Sequence, residues 1–178
     1  MKNLKKISMY AVVLFTTALI ISSCRKDDDG GGNGGNNQAT EGTIAAKVNG
    51  TQVTSSAMSS SAMYASGMLT VQGTTADLKN LKLIIVGAAH KTTGTYDIGG
   101  TNSVMVNASY MEMTMSGSST IWVAPYSGGA VVGSITITEW TDTKVVGTFK
   151  FDAALQSGSS HDTSNMKNVT EGSFNMKL

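Results

Sequence analysis

From residue 43 to the C-terminus, apolar and polar residues alternate with a period of two, the signature of strands that send successive side chains to opposite faces of a sheet. In IAAKV, Ile44, Ala46 and Val48 share one face. Asn49-Gly50 comes next, and both residue types tolerate the positive φ of a type I′ turn, so a hairpin is predicted with Gln52 and Val53 in the returning strand. MLTVQG places Leu69 and Val71 together, and TGTYDIGG at 93–100 reads as a short strand closed by a Gly-Gly turn. LKNLKLIIVGAA differs, because Leu81, Leu83, Ile84, Ile85 and Val86 are nearly continuous; this suits a strand covered on both faces or a short buried helix. Gly87 and the β-branched content favour the strand, and residues 77–80 could form a helical turn before it.

SVMVNASYMEMTM changes parity midway: Val104, Val106, Ala108 and Tyr110 share one face, whereas Met111, Met113 and Met115 lie on the other. A β-bulge or strand break near Tyr110 would restore one inward face. The alternative is a strand with apolar residues on both faces. Further on, GSITITEW and VVGTFKF alternate cleanly about the polar turn TDTK, QSGSSHDTSNMKN reads as a polar loop, and VTEGSFNMKL sets Phe174, Met176 and Leu178 against Ser173, Asn175 and Lys177. The prediction is an all-β domain, either an antiparallel β-sandwich or a closed, barrel-like β-meander, which the pattern does not separate.

The pattern stops upstream of residue 43. Lys2, Lys5 and Lys6 precede MYAVVLFTTALII, an apolar run too short for the roughly 20 residues that span a bilayer. A charged start, a short apolar middle and small residues at the break follow the plan of a secretory signal peptide. ISSC at 21–24 resembles the lipobox of bacterial lipoproteins, and by that resemblance Cys24 becomes the first residue of the mature chain and carries lipid on its sulfur and amino group. At about 0.8 kcal/mol per buried methylene, one acyl chain anchors marginally and two or three anchor stably. No second cysteine exists for an internal disulfide. RKDDDGGGNGGNNQATEG is glycine-rich and polar, the composition of a flexible tether with a reach of roughly 20–25 Å. Lys26, Asp27, Asp28 and Asp29 resemble the acidic export signal of Bacteroidota lipoproteins displayed on the outer face of the outer membrane. The position after the cysteine is Arg25 rather than aspartate, so the signal associated with inner-membrane retention is missing. The expected organisation is a signal peptide at 1–23, a lipidated cysteine and tether at 24–42, and one β-rich domain at 43–178.

Charge narrows the partners. Removing Lys2, Lys5 and Lys6 from 13 basic residues leaves 10 against 12 acidic ones, a net charge near −2 that gives no electrostatic reason to expect nucleic acid. With 14% charged residues and one proline, the composition is that of a strand-rich extracellular module.

Chemistry is sparse. No G-x-S-x-G elbow or P-loop occurs. His90 and His161 stand apart and are expected on the surface; Glu112 and Glu139 could pair as the acid and base of a glycosidase, but each suits the polar face of its strand. Catalytic residues, metal ligands and cofactors are therefore all expected to be none. Met105, Met111, Met113 and Met115 suit core filling, an adaptable binding surface or soft-metal ligation. Trp122, Tyr126 and Trp140 flank the PYSGG loop and the Ile-Thr strand, where exposed rings would stack on a sugar or cover an apolar ligand; packing at a sheet edge explains them as well. Tyr64, Tyr96 and Tyr110 could serve likewise.

The order VNGTQV, GTYDIGG, an ASY segment, GSITITEW, VVGTFKF and EGSFNMKL resembles a family of small Bacteroidota lipoproteins known only as a domain of unknown function. The resemblance implies a place and an architecture and carries no catalytic residues. The chain is read as a non-enzymatic module held on the membrane by Cys24, binding a glycan, a small apolar molecule or an envelope protein at the cell surface. A structural envelope subunit is the alternative.

Overall fold

A computed structural model describes residues 38–178. Those residues form an all-β domain of eleven antiparallel strands, with a single 3-10 turn at Ala57–Ser59 and no α-helix among them. The strands are β1 (Thr43–Val48), β2 (Thr51–Thr54), β3 (Ser60–Ala65), β4 (Met68–Thr74), β5 (Lys79–Val86), β6 (Gly94–Gly99), β7 (Met105–Met113), β8 (Ser119–Ala124), β9 (Val131–Trp140), β10 (Lys144–Ser157) and β11 (Ser160–Lys177).

The main path runs β2-β1-β11-β10-β8-β7-β5-β4-β3. The long strand β10 divides its free edge: residues 145–151 pair with β9, which carries β6, and residues 154–155 pair with β8. The sheet therefore splits into two leaves that curl toward each other as a half-barrel. The link between β2 and β3 stitches the far ends together. Ser55 N–H donates to Ile44 O and Ser56 N–H to Thr74 O, both at 3.0 Å, while Ser60 Oγ donates to Ser55 Oγ at 2.7 Å.

The inward faces supply one continuous core, with Ile44, Leu69, Leu81, Leu83, Ile85, Ile135, Ile137 and Phe174 essentially without exposure. Curvature comes from cross-strand pairs of glycine and phenylalanine: Gly133 faces Phe151, Gly172 faces Phe149, and Gly147 faces Phe174. A Cβ on Gly147 would stand 2.5 Å from Phe174 Cζ, and one on Gly172 would stand 2.6 Å from the Phe149 ring. Each ring thus covers a bare backbone, which lets the sheet bend sharply without a void.

Several local expectations change. The predicted Asn49-Gly50 hairpin is present, with φ of 48° and 81°. Residues 77–80 form no helical turn; Leu78 takes φ 61° in a tight turn and β5 begins at Lys79. The polar stretch expected as a loop after residue 155 is instead the tip of the β10–β11 hairpin, where Ser157 pairs with Ser160. β7 has no bulge near Tyr110, because it stays in register with β5 from Lys79↔Glu112 to Val86↔Met105. Within the expected tether, Ala39 N–H donates to Ser173 Oγ at 2.9 Å and Gly42 N–H donates to Asn175 O, so both residues lie against β11.

Candidate binding surface

Because β7 is unbroken, its second apolar face points outward. Across β3, β4, β5 and β7 the register aligns Ala65, Met68, Val86 and Met105 in one row and Met63, Thr70, Ile84 and Asn107 in the next. Both rows lie on the outer face, opposite Leu69, Leu83, Ile85 and Val106, which enter the core. Met63 is 57%, Met68 36% and Met105 62% exposed, and Ile84 and Val86 are half-buried. Four strands at about 4.8 Å give this apolar surface a width of roughly 15 Å. Met58 and Met115 are almost fully exposed in the connections. Of the methionines the sequence offered as core filling, Met105 and Met115 are exposed and Met111 and Met113 half-buried on the outer face, while Met176 on β11 fills the core. Thioether side chains adapt to differently shaped partners, and a contiguous exposed apolar patch on a strand face marks a contact surface.

The aromatic candidates do not form an exposed platform. Trp122 and Trp140 are each only 5% exposed, Tyr126 is half-buried, and the two indoles belong to different clusters. Trp140 closes one end of the core against Tyr64 and His90; Tyr64 stacks on the exposed His90 with centroids 4.7 Å apart. The Trp140 Nε1–H is buried without an acceptor. Trp122 sits opposite Tyr110 across the β7–β8 pair and donates to Asn165 Oδ1 at 3.2 Å. Inward-facing aromatic positions are core positions, and the cross-strand pairing that puts them there is not visible in the alternation of one strand.

Around Trp122 lies a partly buried polar network. Lys167 Nζ stands 4.3 Å from the Trp122 ring centroid and donates to Glu112 Oε1 at 2.9 Å, and the Tyr110 hydroxyl donates to the same oxygen at 3.0 Å. Partial burial pushes the Glu112 carboxyl up, but the bonds from Lys167 and Tyr110 and the charges of Lys167 and Lys79 together hold it below the ordinary carboxylate value. Burial first, and Glu112 after it, drive the Tyr110 phenol far above its usual range. Glu139 is paired separately, with Lys144 at 3.1 Å on the next strand, so the two glutamates are committed to different lysines. His161 is exposed near the tip of β11. Among the described residues no three His, Cys, Asp or Glu side chains converge as a metal site. Cys24, Lys26, Asp27, Asp28 and Asp29 lie outside the described residues.

The family described as Domain of unknown function (DUF6252) matches residues 40–176, and the chain belongs to it. No curated protein and no solved structure matches the chain.

Proposed function

We propose that this member of the family is a non-enzymatic, lipid-anchored module of the outer membrane that docks an envelope protein on the methionine face of β3, β4, β5 and β7. The observation that carries the reading is the pair of adjacent rows in which Met63, Met68 and Met105 remain exposed beside Ile84 and Val86. Folding does not require these side chains, since the core is completed by the opposite parity of the same strands. The anchor rests on ISSC and Cys24, and display on the outer face rests on Lys26 and Asp27, Asp28 and Asp29. The pairing of Glu112 and Glu139 with their own lysines favours a binding role over carboxylate catalysis.

A photo-crosslinking amino acid placed at Met63 or Met105 in living cells should give a discrete adduct, and the same probe at Thr148 on the other leaf should not. Adducts from neither methionine position, or equally from both leaves, would overturn the reading. An adduct of twice the chain's mass would favour the second reading, a self-associating structural subunit. The anchor is tested separately: a clickable fatty acid should label the parent and not Cys24→Ala, and alanine at Asp27, Asp28 and Asp29 should reduce protease access on intact cells.

A further inference from the structure

We propose that the outer face of β6, β9, β10 and β11, on the other leaf, is a binding site for a neutral oligosaccharide. Two concavities of about 670 and 480 Å³ adjoin there and share Ser134 and Lys150. Register places Asp97, Ser134 and Lys150 side by side on β6, β9 and β10, and Thr95, Thr136 and Thr148 in the neighbouring row. The Thr95 and Thr136 hydroxyls are 2.9 Å apart. A bulge deepens the β11 wall: Phe149 faces Gly172 and Phe151 faces Val169, so Thr170 and Glu171 together oppose Lys150, with Glu171 at φ 50°.

The charges select the ligand. Asp97 and Lys150 flank Ser134 from opposite sides, so their backbones are roughly 10 Å apart at two strand spacings. Among the described residues neither side chain has a hydrogen-bond or ion-pair partner, whereas the Glu171 carboxylate at the edge is held by Lys47 at 2.8 Å. Asp97, Asp152 and Glu171 outnumber Lys150 along the lining, which disfavours an anionic polymer. Phe149 and Phe151 turn into the core, so the trough presents hydroxyls and charges beside the exposed aliphatic Val131, with no aromatic ring facing out. A neutral polyol fits this set, because each of its hydroxyls both donates and accepts. It can donate to Asp97 and accept from Lys150 while the serine and threonine hydroxyls do either. With no aromatic platform for stacking, a single site binds in the millimolar range, and many copies on one surface would raise the avidity.

The full chain in detergent, titrated with maltohexaose, xylohexaose, N-acetylchitohexaose and, as the acidic comparator, hexagalacturonate, tests the proposal by saturation-transfer NMR. At least one neutral hexaose should bind, the acidic one should not, and Asp97→Asn with Lys150→Ala should weaken binding at least about fivefold, the loss of one or two partly solvated hydrogen bonds. Met63→Asp should leave that affinity unchanged, so this site and the methionine face fail independently. Thermal unfolding of the double variant at the parent's midpoint shows that it remains folded. The proposal is overturned if no neutral hexaose binds at about 50 mM, far above a millimolar Kd. Tighter binding of the acidic hexaose, or unaltered binding by the folded double variant, overturns it equally.

Discussion

Lys167 links the polar network to the aromatic core, and its replacement gives a quantitative test of the network. Its ammonium is 2.9 Å from Glu112 Oε1 and 4.3 Å from the Trp122 centroid, with the lysine side chain 19% and the glutamate 40% exposed. Solvent-exposed ion pairs are worth about 0.2–1 kcal/mol, and partial burial of the lysine places this one near the upper end. The cation–π contact adds about 1 kcal/mol. Lys167→Met keeps an apolar stem over the indole and recovers about 0.5 kcal/mol from the sulfur–ring contact. The expected net loss is therefore about 1.5 kcal/mol, a fall in Tm of about 3–6 °C for a domain of this size. Glu112→Gln should cost about 1 kcal/mol, since a neutral amide oxygen still accepts from Tyr110 but no longer pairs with a charge. Urea unfolding of the parent, both single variants and the double variant should give a coupling energy near 1 kcal/mol at pH 7. The folded-state pKa of Glu112 is depressed, so its contribution is present above the unfolded carboxylate value and is lost as pH falls through the folded value. The coupling should therefore weaken as pH falls through the depressed folded-state value of Glu112. A coupling below about 0.3 kcal/mol at pH 7, or one unchanged at low pH, would refute the reasoning.

Gly147→Ala should destabilise by about 2–3 kcal/mol, because the new Cβ would stand 2.3 Å from Thr136 O and 2.5 Å from Phe174 Cζ; Gly128→Ala, in open space, is the control and should leave the denaturation midpoint unchanged. Trp122→Phe should cost about 0.5–1 kcal/mol more than Trp140→Phe, since the first removes the donor to the exposed Asn165 and shrinks the ring under Lys167 while the second removes a buried N–H that had no acceptor; equal losses in chemical denaturation would contradict this. The raised pKa of Tyr110 leaves its stabilising effect intact below the unfolded phenol value and erodes it as pH rises beyond about 10. Melting curves between about pH 8 and 11 should accordingly fall less steeply for Tyr110→Phe than for the parent.

The all-β class and the strongest strands were legible because one face of β9, β10 and the end of β11 is buried and the other wet, which writes a period of two directly into the residues. β3 and β8 were harder to read. SSAMYA is composed of small residues around one methionine and one tyrosine, so its inward set, Ala62 and Tyr64, barely differs in hydrophobicity from its outward set. The β10–β11 tip reads as a loop because it projects past the core and therefore has polar residues on both faces.

The parity change at Tyr110, for which the sequence left a bulge and a doubly apolar strand both open, is the informative case. A strand that is apolar on both faces gives the same one-dimensional pattern as a bulged strand with one apolar face, and only cross-strand register separates them. With β7 continuous, Met111 and Met113 face out beside Ile121 on β8, and Met105 joins Met63 and Met68 farther along. A break in periodicity that the fold does not use is where a sequence departs from the demands of folding, and such departures concentrate at contact sites. The same logic applies to the other leaf, in reverse. β9 and β10 alternate without fault, so their outward hydroxyls look like ordinary solvent-facing positions, and the trough arises only once the bulge at Thr170 and Glu171 and the branching of β10 place them side by side. An apolar contact surface can therefore disturb a strand pattern visibly, whereas a polar one is built from residues that the pattern already permits.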